Sequence, residues 1–86
     1  MAEWVQVDQT WTAAFGPACD GSPELEVRQY AAGRYTLCVR FDGDRSVMRA
    51  AAFPDSTAAR RAAVDFAFSV LGESHREQIL GLSLAR

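Results

Sequence analysis

Between Arg34 and Phe41 polar and apolar residues alternate without a break: Tyr35, Leu37, Val39 and Phe41 share one side, and Arg34, Thr36, Cys38 and Arg40 the other. A period of two over a run of this length is a strand with one face buried and one face open. Such a strand needs neighbours, because an isolated strand or hairpin is barely stable in water. Asp42-Gly43 follows at once and is a strong signal for a two-residue hairpin turn. Arg45 to Phe53 is then expected to return as a partner strand, softened by Ala50, Ala51 and Ala52. On the other side Glu24 to Tyr30 also alternates, and Ala31-Ala32-Gly33 makes a short connection with Gly33 suited to positive φ. The expectation is a three-stranded antiparallel sheet from Glu24 to Phe53.

A helix should follow. Pro54-Asp55-Ser56-Thr57 is a helix start in which Asp55 or Ser56 can accept from the free amides of the first turn. Ala59, Ala62, Ala63, Phe66, Ala67 and Val70 form an inward stripe over Ser56 to Leu71, and Gly72 stops it. Small residues in the stripe let the helix sit close on the sheet. Val64, Phe68 and Leu71 lie beside the stripe, with Phe68 nearly opposite its centre. Either the C-terminal segment or another chain should cover that flank. Glu73 to Arg86 reads as a short helix or turn followed by an apolar tail through Ile79, Leu80, Leu82 and Leu84.

The first fifteen residues fit two patterns. Trp4, Val7, Trp11, Ala14 and Phe15 have helical spacing, whereas Val5, Val7, Trp11, Ala13 and Phe15 alternate. Gly16-Pro17 is a good helix stop, which tips the reading toward a helix, with a strand as the alternative. Ala18 to Pro23 is turn chemistry. The fold class is therefore α+β: a three-stranded antiparallel sheet on one main α-helix, with an N-terminal helix or strand and a short C-terminal element. At 86 residues, with 49% hydrophobic and 23% charged, the chain reads as one globular domain.

Charge and cysteine usage exclude several functions. A net charge of −2 is not that of a general nucleic-acid binder, which needs a cationic surface to displace counterions. All nine basic residues are Arg, which we read first as genome composition, since the chain is also Ala-rich. Cys19 and Cys38 form no Cys-x-x-Cys pair, and with His75 as the single imidazole they cannot complete a four-ligand zinc site. Glu3, Gln6, Asp8 and Gln9 interrupt any secretory apolar segment, and no run is long enough to span a membrane. A cytoplasmic protein with reduced thiols is expected.

No catalytic set emerges. His75 lies among Ser74, Glu73, Arg76 and Glu77, which reads as a solvated charged stretch rather than part of a Ser-His-Asp arrangement. Glu24 with Glu26 suits cross-strand pairing to Arg, and Asp42 with Asp44 suits a tight turn. A guanidinium near Cys38 could lower its pKa, but no His is close in sequence to act as base. Neither catalytic residue, metal nor cofactor is expected. What remains is the outer sheet face, where Arg28, Arg34 and Arg40 are placed, with Arg45 and Arg49 nearby. Arg28, Tyr30, Arg40 and Arg49, then Phe68 on the helix flank, are the candidate partner-binding residues, because Arg and aromatic side chains carry much of the energy at interfaces.

The stretch Gly33-Arg-Tyr35-Thr-Leu-Cys-Val39-Arg-Phe-Asp42-Gly43, followed by Ala58-Ala59, Ala62 and Ala67, resembles part of some small phage-borne type I anti-CRISPR proteins. These share a Gly-x-Tyr strand, an Asp-Gly hairpin and an Ala-rich helix in that order. The resemblance covers about half the chain. It implies a stoichiometric inhibitor that binds a CRISPR effector complex or its nuclease, and it transfers no individual residue. The strand order also resembles the arm-binding domains of phage integrases, which are usually basic, as this chain is not. The expected function is a non-enzymatic binding protein acting through its sheet face on a larger protein assembly. The alternative is a small DNA-binding accessory or regulatory protein using the same Arg residues. A homodimer also stays open.

Overall fold

The structure is a computed structural model, and it describes residues 3–15, 23–41, 45–72 and 76–84. The expectations placed on Gly16, Pro17, Cys19, Asp42, Gly43, Asp44, Glu73, Ser74 and His75 lie outside these residues. Seven elements follow one another: β1 (Val5–Val7), β2 (Thr10–Ala14), β3 (Glu24–Ala31), β4 (Arg34–Phe41), β5 (Arg45–Ala52), α1 (Ser56–Leu71) and α2 (Arg76–Leu84). The strands form one antiparallel meander in the order β1-β2-β3-β4-β5. The α+β class stands as expected, but the sheet has five strands rather than three.

The two added strands come from the N-terminal segment, where the helical reading is corrected. Asp8 takes a left-handed φ of 55° and turns the chain at Asp8-Gln9. Asp is one of the few residues that tolerate this conformation. Pairing runs Val5 to Thr12, Gln6 to Trp11 and Val7 to Thr10, so Trp11 and Val7 lie on opposite faces. Trp11, Ala13 and Phe15 are buried, whereas Val7 is 66% exposed. The apparent alternation from Val5 to Phe15 is thus two strands whose phase changes at the turn. The β2–β3 ladder is lengthened at both ends, where Phe15 N–H donates to Pro23 O and Gln29 N–H donates to Gln9 O, each at 2.9 Å.

The inner face of the sheet carries Trp11, Ala13, Leu25, Val27, Tyr35, Leu37 and Val39, all buried. α1 lies across β3 and β4 and closes this face with Ala59, Ala63, Val64, Phe66 and Ala67. Val64 is inside the buried stripe, and Val70 and Ala62 are only partly buried at its border. The Ala residues remove bulk between helix and sheet, and a helix this close adds dispersion contacts along its length. Asp55 is the N-cap: its Oδ1 accepts from the Ala58 amide at 2.8 Å. Gly72 ends α1 with φ 66°, and its N–H donates to Phe68 O.

α2 packs on α1 and buries Ile79 and Leu82 completely or nearly so. Phe68 is half-buried and packs against the same core. The C-terminal segment therefore joins the core as a helix.

Candidate uncovered sheet face

All the helical cover lies on one side of the sheet, and no described element packs on the other. The register defines this second face row by row. One row reads Ala14, Glu24, Arg40, Ser46; the next Val5, Thr12, Glu26, Cys38, Met48; the next Val7, Thr10, Arg28, Thr36, Ala50. Arg34 and Ala52 end it. Short side chains, mostly Thr, Ala, Ser and Cys, fill much of this face on β2, β4 and β5, while the central strand β3 carries Glu24, Glu26 and Arg28. Longer ones stand at intervals, and Val5, Val7 and Met48 leave apolar surface in water.

On this face β3 carries Glu24, Glu26 and Arg28, and β4 carries Arg34 and Arg40. Arg40 lies directly opposite Glu24 and reaches it at 3.3 Å. Both partners are partly solvated, so the pair contributes a few tenths of a kcal/mol at most, on the order expected for surface pairs. Arg28 lies four residues further along β3, about 13 Å away at ordinary strand rise. Glu24 and Glu26 occupy the interval. The face is thus a mixed field with Arg at both ends.

Cys38 is half-buried in the middle of this face, between Glu26 and Met48. Burial pushes its thiol above the ordinary range, and the Glu26 carboxylate adds to the shift. A hydrogen bond with Ser46 and the charge of Arg40 oppose them without prevailing. The lowering effect of the nearby guanidinium is present but outweighed, so Cys38 is a protonated thiol near neutral pH. Among the described residues no three His, Cys, Asp or Glu side chains gather closely enough to share a metal ion.

Of the five residues singled out from sequence, Arg28 and Arg40 lie on the uncovered face, both exposed. Tyr30 is exposed at the irregularity where the β3–β4 register shifts between Gln29 and Ala31. Phe68 belongs to the helical layer instead. Arg49 is a correction. It lies opposite Leu37, on the helix side of the sheet, with its guanidinium carbon 5.0 Å from the centre of the Phe66 ring. Arg45 is likewise opposite Phe41 and 5.5 Å over that ring. The reason is a single residue of loop. A two-residue Asp42-Gly43 turn would pair Phe41 with Asp44, but the strands close with Phe41 opposite Arg45. A one-residue shift in register exchanges the two faces of β5. It brings Met48, which sequence reasoning had not picked out, onto the uncovered side at 65% exposure. Val5 and Val7 were missed for a similar reason, since their face is set by the hairpin at Asp8.

Compared with protein-family models, with curated proteins and with solved structures, the chain gives no match in any of the three. No described helix is long and apolar enough to cross a membrane.

Proposed function

We propose that this chain is a non-catalytic binding protein that engages a larger protein through the uncovered face of its sheet. The observation that carries the reading is the division of the sheet: α1 covers β3 and β4 on one face, and the other face, with no helix on it, presents Arg28 and Arg40 beside solvent-exposed Val5, Val7 and Met48. Apolar side chains interspersed with Arg on a flat surface suit a protein partner, since such interfaces combine apolar contact with Arg anchors. The resemblance of the Gly33 to Gly43 unit and the Ala-rich helix to phage-borne anti-CRISPR proteins supports a particular form of this reading. In that form the chain is a cytoplasmic inhibitor, and its partner is a CRISPR effector complex.

DNA contact through the same face is the second reading, favoured by Arg28, Arg34 and Arg40 on adjacent strands. Glu24 and Glu26 lie between those Arg residues and would repel phosphates, which places this reading second. The two readings separate in one set of experiments. The double variant Arg28→Glu, Arg40→Glu should lose the co-purifying protein partner, weakening binding by at least about 100-fold if both are anchoring residues. Its circular dichroism and melting should stay close to those of the parent chain. Undiminished partner recovery contradicts the proposal. A gel shift on duplex DNA that weakens steeply with salt supports the second reading instead.

A further inference from the structure

β5 forms one edge of the sheet and is paired with β4 in unbroken register over its whole length. The Phe53 amide donates to the Gly33 carbonyl at 3.0 Å, which fixes the phase of that ladder. In an antiparallel pair, bonded positions recur every second residue. Positions 51, 49, 47 and 45 of β5 therefore bond with 35, 37, 39 and 41 of β4. The N–H and C=O groups of Ser46, Met48, Ala50 and Ala52 point the other way, and among the described residues none accepts from or donates to them. At the other edge β1 is only three residues long. β5 is eight residues long, with no Pro and no bulge; of the usual devices that discourage further pairing it has only charge, in Arg45 and Arg49, and charge selects a partner by sign.

The side chains say which occupant fits. Arg45 and Arg49 line the helix side of β5, and the strand contains no acid. On the uncovered side Ser46, Met48, Ala50 and Ala52 leave room for a neighbouring strand. A second copy is disfavoured, because antiparallel self-pairing in the required phase brings Arg45 and Arg49 of both chains onto one side of the joint. Like charges set across a strand pair destabilise it. An incoming strand bearing carboxylates has the complementary charge.

We propose that β5 is a strand-addition site for an extended acidic segment of a partner protein. The segment bonds to the outward groups of Ser46, Met48, Ala50 and Ala52. It sets carboxylates four residues apart toward Arg45 and Arg49, with small or β-branched residues on the opposite side. This edge is separate from Arg28 and Arg40, so the inference does not depend on the sheet-face reading.

The test uses the full chain and a fluorescent synthetic peptide, Thr-Glu-Thr-Val-Thr-Glu-Thr, followed by anisotropy and by hydrogen exchange of the protein. The peptide should bind and slow exchange at the amides of Ser46, Met48, Ala50 and Ala52. Replacing both Glu by Lys should weaken binding at least tenfold. N-methylation of alternate peptide amides should abolish binding in one phase and spare it in the other, a readout that needs no change to the protein. Ala50→Pro, which removes one outward N–H and leaves the β4 ladder its donors, should also weaken binding at least tenfold. The Arg28→Glu, Arg40→Glu variant should bind the peptide as the parent does. Equal binding of the Lys peptide, equal loss in both methylation phases, or no binding at millimolar peptide overturns the proposal. Self-association of the chain that protects the same four amides overturns the acidic occupant in favour of a second copy.

Discussion

Among the described residues three guanidinium groups cover aromatic rings: Arg45 over Phe41, Arg49 over Phe66 and Arg60 over Trp11. Each stem lies along apolar surface while the charged end stays near water. Arg60 is held further by its own helix, since its Nε donates to Ser56 O at 3.3 Å. Arg49 therefore supports the fold by bridging the edge strand to α1. Arg49→Ala should lower stability by about 1 kcal/mol, and Arg49→Lys by less, in urea denaturation. An unchanged midpoint would show that the ring contact contributes nothing. Cys38 gives a second residue-scale prediction. Because burial and Glu26 hold its thiol protonated, iodoacetamide at pH 8 should react more slowly with it in the folded chain than in denaturant. A rate above that of the unfolded thiol would show activation instead. The faces of Arg28 and Arg40 were legible in the sequence because period-two alternation fixes them within their own strands. The face of Arg49 was not, because it depends on how many residues the β4–β5 turn uses, and Asp42-Gly43 pointed to one fewer than the strands leave.

At the scale of elements, the helix was the most readable part. Its start at Asp55, its Ala-rich stripe and its stop at Gly72 are local features, set by amide capping, side-chain size and backbone freedom. The N-terminal hairpin was the least readable. Trp11 and Phe15 satisfy helical and strand spacing equally well, and the decisive residue is Asp8 with its positive φ. The hairpin makes a prediction that a helix over the same residues does not. Trp11 is buried and Val7 exposed, so Trp11→Ala should cost about 3–5 kcal/mol and Val7→Ala less than about 0.5 kcal/mol. Comparable losses at both positions would contradict the two-strand arrangement. The sheet therefore depends on its first hairpin as well as on the α1 contact, since Trp11, Ala13 and Phe15 extend the core beyond β3.

For the whole molecule, one continuous core links the sheet, α1 and α2, from Trp11 to Leu82. A small domain buries a limited share of its surface, so both helices are needed on the same side. That concentration leaves the second sheet face without helical cover. The α-helical layer offers a matched control, because Arg61 is exposed on α1 and its charge can be reversed without touching the sheet. The most direct test is parallel purification of three tagged forms from native cells: the parent chain, Arg28→Glu with Arg40→Glu, and Arg61→Glu, each checked for an unchanged melting temperature. One defined partner should co-purify with the parent and with Arg61→Glu but not with the sheet-face variant. Recovery of that partner with the sheet-face variant, or its loss with Arg61→Glu alone, would rule out binding through the uncovered face.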